Sequence, residues 1–232
     1  MVPTGFDGTQ NRANCLMTHA AQKGNAMPKL KLAVLISGSG TNLQAIVDRI
    51  GDGSLDAEVS MVISSRADAY GLRRAEEAGI PTLTIDRDLY RREQGLVADA
   101  VIASTCKQRG VDYIVMAGYM RMVHKPILNA FPNRVVNLHP ALLPSFPGAH
   151  AIQDAYDRGV KVTGVTVHFA NELYDAGPII AQRALAVEEG WSLDELEAHI
   201  HAVEHVLYPE VIQLLAEGRV KVRENLTVEI SS

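Results

Sequence analysis

Asn137 and His139 stand two positions apart at the end of the run Arg134-Val-Val-Asn-Leu-His-Pro140. On a strand, residues i and i+2 point to the same face. Pro140 cannot donate to a sheet ladder, so the strand is expected to stop there. An amide and an imidazole are thus offered side by side at a strand's carboxyl end. In open α/β sheets ligands bind at that end. Taken alone, the pair reads equally as a polar strand end facing solvent.

Other residues carry chemistry of their own. Ser37-Gly-Ser-Gly-Thr-Asn42 falls between an apolar run and a helical pattern. Backbone amides in such a turn, together with a helix N-terminus, make an anion site. Leu43 takes the third glycine position of a dinucleotide fingerprint, and Ser64-Ser-Arg66 stands where that fingerprint needs an acid. Phosphate binding is the reading these residues favour, with a plain tight turn as the alternative. His201-Ala-Val-Glu-His205 has the form of an inverted zinc-protease signature, with both histidines on one helical face. The short stretch after it leaves little room for a third ligand, so a helix face lining a polar pocket is preferred. Glu204 is then a candidate for holding a cationic or hydroxylated ligand.

Asp175 sits in the turn Leu173-Tyr-Asp-Ala-Gly-Pro178, where Asp and Gly also serve simply as turn formers. Arg73, Arg74 and Arg121 read as solvated charges, although Arg121 directly follows an apolar strand. His150 and His168 read singly as satisfied structural histidines, and Cys106 as core.

These groups need elements to position them. Leu32–Ile36, Val59–Ile63, Thr82–Ile85, Tyr113–Ala117 and 134–139 read as strands. Between them lie helical patterns at Leu43–Ile50, Ala69–Ala78, Arg91–Arg109 and Pro126–Ala130, the first with Thr41 or Asn42 as its cap. Alternation of this kind predicts an α/β fold: a Rossmann-like, open twisted, mostly parallel sheet with helices on both faces. After Pro140 come a loop, a helix at Ala151–Arg158, and two longer strands at Val162–Phe169 and Pro178–Val187. Ser192-Leu-Asp-Glu195 is a capping box. It opens a long helix with Leu193, Leu196, Ile200, Val203 and Leu207 on one face, which Pro209 is expected to kink or break.

The chain has 232 residues, a net charge of −5 and 47% hydrophobic content. This suits one α/β domain, or two closely joined halves, and argues against a nucleic-acid-binding face. Cys15 and Cys106 form no closely spaced metal motif. No apolar run approaches the length of a membrane span, and a cytoplasmic setting is expected. Residues 1–29 read as a disordered extension with Met27 as a second possible start, 30–222 as the domain, and 223–232 as an extended tail.

Taken together, the pieces resemble one family. Ile36-Ser-Gly-Ser-Gly-Thr-Asn-Leu-Gln-Ala45, Ala117-Gly-Tyr-Met-Arg121 and Asn137-Leu-His-Pro-Ala-Leu-Leu-Pro144 are similar to the phosphoribosylglycinamide formyltransferases. So are Gly164-Val-Thr-Val-His-Phe169, Asp175-Ala-Gly-Pro-Ile179 and Glu204-His-Val-Leu-Tyr-Pro209. The resemblance runs from about Leu30 to Val222. Methionyl-tRNA formyltransferase and formyltetrahydrofolate hydrolase share part of it, but the N-terminal turn and the late Glu-His-x-x-Tyr-Pro point to the glycinamide enzymes. No regulatory domain before the first strand and no tRNA-binding domain after Val222 is expected.

The resemblance implies transfer of a formyl group from 10-formyltetrahydrofolate to the amine of 5-phosphoribosylglycinamide in purine synthesis, without a metal. It implies that Asn137 binds the formyl oxygen, that His139 stabilises the oxyanion, and that Asp175 orients His139 and handles protons. Gly40, Thr41 and Asn42 match the phosphate site, with His201 and Glu204 on the glycinamide substrate. Arg74, Met120, Arg121, Met122 and Val123 match the folate side, with Asn171, Glu172, Leu173, Tyr174 and Asp175 closing over the pterin. The small-molecule substrates are the only partners implied; oligomeric state is left open. A folate hydrolase and a non-catalytic phosphate- or nucleotide-binding module are the alternatives.

Overall fold

The computed structural model describes Met1 and residues 29–231. The extension expected over residues 1–29 falls outside the described residues except for its two ends, and Met27 and Cys15 fall outside with it.

Nine strands and seven helices follow one another among the described residues. The first half runs β1 (Leu30–Ile36), α1 (Thr41–Gly51), β2 (Ala57–Ser64), α2 (Tyr70–Glu77), β3 (Thr82–Thr84), α3 (Arg87–Arg91) and α4 (Leu96–Gln108). Then come β4 (Tyr113–Met116), α5 (Lys125–Ala130), β5 (Val135–His139), α6 (Ala151–Asp157), β6 (Val162–Phe169), β7 (Ile179–Ala186) and α7 (Leu193–Ala216). A hairpin of β8 (Val220–Val222) and β9 (Val228–Ile230) closes the described chain. The stretch expected as an extended tail thus supplies a paired strand.

The main sheet has seven strands in the order β3-β2-β1-β4-β5-β6-β7. The first five are parallel, as the alternation predicts. β6 runs antiparallel to β5, and β7 antiparallel to β6. From β1 the chain first builds outward through β2 and β3, then returns to place β4 on the other side of β1. That reversal opens a crevice beyond the carboxyl ends of β1 and β4.

Helices cover both faces of the sheet. Along β1, Leu32, Val34 and Ile36 pack into one core with α1 and α7, while Ala33 and Leu35 pack into the other with α4. A strand apolar at every position is what two covered faces require.

Three local expectations are corrected. The helix expected over Arg91–Arg109 is broken: a short 3₁₀ turn, Arg92–Gly95, separates α3 from α4, and Glu93 and Gln94 there have left-handed φ of 46° and 54°. Asp99 accepts hydrogen bonds from the His124 backbone N–H at 2.6 Å and its Nδ1–H at 2.9 Å, tying α4 to the loop before α5. This tertiary anchor overrides local helical propensity. Neither Thr41 nor Asn42 caps α1; Gly40 is the N-cap, and no side chain bonds there. The Asn42 amide is drawn off to Glu204 instead. Finally, α7 runs through Pro209 without a break. Leu207, Tyr208, Val211, Ile212 and Leu215 are buried on either side of the proline. Their packing outweighs the lost backbone hydrogen bond, a cost of about 3 kcal/mol in an exposed helix. The capping box at Ser192 and Glu195 is formed as expected.

Candidate active site

Asn137 and His139 lie on the last turn of β5, and β6 runs antiparallel beside them. Asp175 comes from the β6–β7 connection and has a left-handed φ of 49°. Its placement depends on Gly177, where a Cβ would overlap the Phe169 carbonyl oxygen. The turn therefore packs flush against the end of β6, and the carboxylate is carried over β5.

There Asp175 Oδ2 lies 3.4 Å from His139 Nδ1 and accepts the Gly148 backbone N–H at 2.9 Å. The Asn137 amide donates to Asp175 Oδ1 at 3.5 Å. On the other side of His139, Nε2–H donates to the Phe146 carbonyl at 2.8 Å. Both ring nitrogens thus face acceptor oxygens. Asp175 and His139 are almost wholly buried, with side chains 5% exposed. Burial alone would push the Asp175 carboxyl up. The His168 ring, the Gly148 N–H and the nearby imidazole charges outweigh it and hold the carboxyl below the usual carboxylate value.

His168 belongs to this cluster, although its sequence context marks it only as a structural histidine. It pairs with Asn137 across the β5–β6 ladder. Its Nδ1–H donates to the Phe169 carbonyl at 2.9 Å, and its Nε2 lies 3.1 Å from the Asn137 amide nitrogen and 3.7 Å from Asp175 Oδ1. The alternation Thr166-Val-His168 was the available signal, once β6 is registered against β5.

On the other side of the crevice lies a cavity of about 440 Å³. Gly38–Asn42 line it with Gly118, Met120, Leu138, Pro140 and His150, and α7 contributes Glu197, His201 and Glu204. Gly40 has φ 71°, and a Cβ there would stand 2.6 Å from the Gly71 Cα. The free amides at the start of α1 therefore border the cavity. Glu204, buried at 4% exposure, accepts on one oxygen from Asn42 Nδ2 and from His201 Nδ1–H, each at 2.9 Å. His201 Nε2 faces Glu197 at 3.4 Å. The Glu204 hydrogen bond, assisted by the charges of Glu204 and Glu197, raises the His201 imidazole above its ordinary value against the opposing effect of burial.

The residues expected on the folate side divide. Arg121, Met122, Val123, Asn171, Leu173, Tyr174 and Asp175 line one cleft together with Asn137, His168 and Met116. Met120 lies instead on the wall of the larger cavity, its N–H held by Ser37 Oγ at 2.8 Å. Glu172 reaches toward Lys125, 3.9 Å away at the surface. Arg74 lies outside this cleft: its guanidinium donates to the Ser39 carbonyl at 2.9 Å and to Gln44 at 3.1 Å, bracing the Ser37–Asn42 turn.

A donor pair, a buried acid–imidazole couple and two neighbouring hollows on one α/β sheet define a group-transfer site. Residues 30–212 match the formyl transferase family, and the chain belongs to it. It is 40% identical to the phosphoribosylglycinamide formyltransferase of Haemophilus influenzae, over 84% of this chain and 92% of that one. It is 41% identical to the trifunctional purine biosynthetic protein adenosine-3 of Bos taurus, but spans only 19% of that protein's length. Among solved structures, glycinamide ribonucleotide transformylase 1 from Symbiobacterium toebii superposes with a TM-score of 0.84 at 48% identity, covering 89% of this chain and 96% of that one.

Proposed function

We propose that this protein transfers a formyl group from 10-formyltetrahydrofolate to the amine of 5-phosphoribosylglycinamide, a step of purine synthesis in the cytoplasm. The observation that carries this reading is the position of β5: Asn137 borders one hollow, and its neighbour Leu138 the other. A donor in the first and an acceptor in the second meet across Asn137 and His139. The first hollow suits a flat heterocycle with a polar edge. Met116, Met122, Val123 and Leu173 supply apolar walls, and Asn137 and Asp175 supply hydrogen-bonding groups. The folate supplies only the activated formyl group.

The chain's own residues do the rest. Amides at Gly40, Thr41 and Asn42 hold the phosphate, and Glu204 holds the sugar–glycinamide portion. Asn137 donates to the formyl oxygen and polarises its carbon toward the amine. His139, oriented by Asp175 and the Phe146 carbonyl, stabilises the oxyanion formed by attack. Asp175 takes the proton shed by the amine, directly or through water, and the departing folate nitrogen is protonated in turn. Atoms and charge balance without a covalent enzyme intermediate and without a metal.

The test is folate release by the purified protein, with and without the phosphorylated amine. Release only with the amine is expected. Release without it would mean hydrolysis, and no release in either case would leave a binding protein.

A further inference from the structure

The larger cavity has a property that the proposed reaction does not explain. Its described lining contains no lysine and no arginine. The only side chains there able to carry positive charge are His150 and His201, and the same lining holds two carboxylates, Glu197 and Glu204, both facing His201. A phosphate dianion entering this cavity meets backbone amides and a charge balance that depends on histidine protons.

His201 is the better placed of the two. Its Nδ1 lies 2.9 Å from Glu204 and its Nε2 lies 3.4 Å from Glu197. His150, at the cavity mouth, is exposed. Around His201 the other groups are neutral or turned elsewhere. Asn42, on α1, is an amide bound to the same Glu204 oxygen. His205, one turn along α7, stacks 6.3 Å away, and burial pushes its imidazole down, toward the neutral form. Arg74, on α2, donates to Ser39 and Gln44. From the start of α6, Gln153 reaches the wall.

We infer that His201 is a proton-linked positioning residue for the phosphorylated substrate, keeping Glu204 in place and neutralising its charge when protonated. With His201 protonated, the Glu197–His201–Glu204 group carries one net negative charge; with His201 neutral it carries two. In the neutral state Nδ1–H still donates to Glu204, but the Nε2 lone pair then faces the Glu197 carboxylate. An incoming phosphate is therefore repelled more strongly, and binding the phosphate must draw a proton onto His201. The raised proton affinity of His201 puts this switch above the ordinary histidine value.

This inference rests on the phosphate-site assignment above, and the test separates the two. Ribose 5-phosphate is titrated calorimetrically against the whole protein from pH 6 to 9, in buffers of different ionisation enthalpy. The wild type, His201→Gln, His201→Lys and His150→Gln are compared. The phosphate's own titration is common to all four. In the wild type, affinity is expected to fall by about three- to tenfold more than the ligand's titration accounts for. Proton uptake should accompany binding. His201→Gln should lose both the extra fall and the proton uptake, and His201→Lys should bind with wild-type acid-side affinity at pH 8.5. In steady-state assays the change should appear in KM for the phosphorylated amine and not in KM for the folate.

Identical profiles for wild type and His201→Gln, or a loss that follows His150→Gln, would overturn the inference while leaving the function intact. So would formyl transfer without any binding of ribose 5-phosphate. Neither transfer nor binding would overturn the proposed function, and this inference with it.

Discussion

The His139–Asp175 contact sets an expectation for mutants. The two are joined by geometry and charge: the carboxylate faces Nδ1 of the ring, and the ring helps keep the carboxyl ionised. Asp175→Asn and His139→Ala should each lower turnover by about 10²–10⁴, with little change in substrate binding. The double variant should be scarcely worse than the worse single one. A cycle of turnover numbers, with folding followed by circular dichroism, gives the coupling; losses that multiply would break the pair apart. The same contact has an acid-side signature. Asp175 is depressed below its unfolded value of about 3.9, so its contribution to stability is full above that pH. The contribution is lost as pH falls through the lower folded value. Urea midpoints between pH 5 and 2 should therefore drop less steeply for Asp175→Asn than for the wild type. Equal slopes would remove Asp175 from the acid response. At this scale the sequence was legible in the pairing of Asn137 and His139 at one strand end, while Asp175 read locally as a turn former and was marked by the family resemblance. The sequence was not legible where the partner is a backbone group, such as the Phe146 carbonyl or the Gly148 N–H, because every residue has those.

Elements deliver these side chains through two glycines. At Gly177 an added methyl collides with the carbonyl at the end of β6, so the turn carrying Asp175 must back away. Gly177→Ala is expected to destabilise the fold by about 1–3 kcal/mol and to lower turnover more than it lowers amine-substrate affinity. Denaturant titration and steady-state kinetics read the two effects; unchanged turnover would show that the turn has slack. Gly40→Val should do the opposite, weakening the phosphorylated amine much more than the folate, since its Cβ meets the Gly71 backbone beside the phosphate loop. Calorimetry with each ligand decides it, and equal loss of both would contradict the phosphate assignment. Strands and most helices were readable because their apolar periods follow from two covered faces. The break at 92–95 was not, because Glu93 and Gln94 take left-handed φ there against their ordinary helical propensity. The direction of the Arg74 guanidinium was not readable either: a motif fixes its position in the chain, while Ser39 and Gln44 decide where it points.

At the scale of the molecule, α7 ties the sheet together as well as lining the cavity. The buried Tyr208 hydroxyl lies 3.0 Å from the carbonyls of both Met116 and Val136, on adjacent strands β4 and β5. Burial drives its phenol far upward, so it remains a donor at every working pH. Tyr208→Phe should cost about 1–3 kcal/mol in a denaturant titration, because it leaves buried acceptors without their donor. A change within error would mean that water replaces the hydroxyl. The fold class was visible from the alternation of elements, whereas the meeting of Asn42 and Glu204 across 162 positions was not. That separation bears on the order in which the protein acquires its abilities. A nascent chain that has released only the five parallel strands has the phosphate turn but lacks the helix that closes the cavity around it. Contacts so distant in sequence form late, after the entropy of a long loop has been overcome. In a refolding experiment, therefore, secondary structure should return first and affinity for a sugar phosphate last, in step with the docking of α7. Until then the chain is a half-built sheet with an uncovered apolar face, the stage at which such proteins are most prone to aggregate.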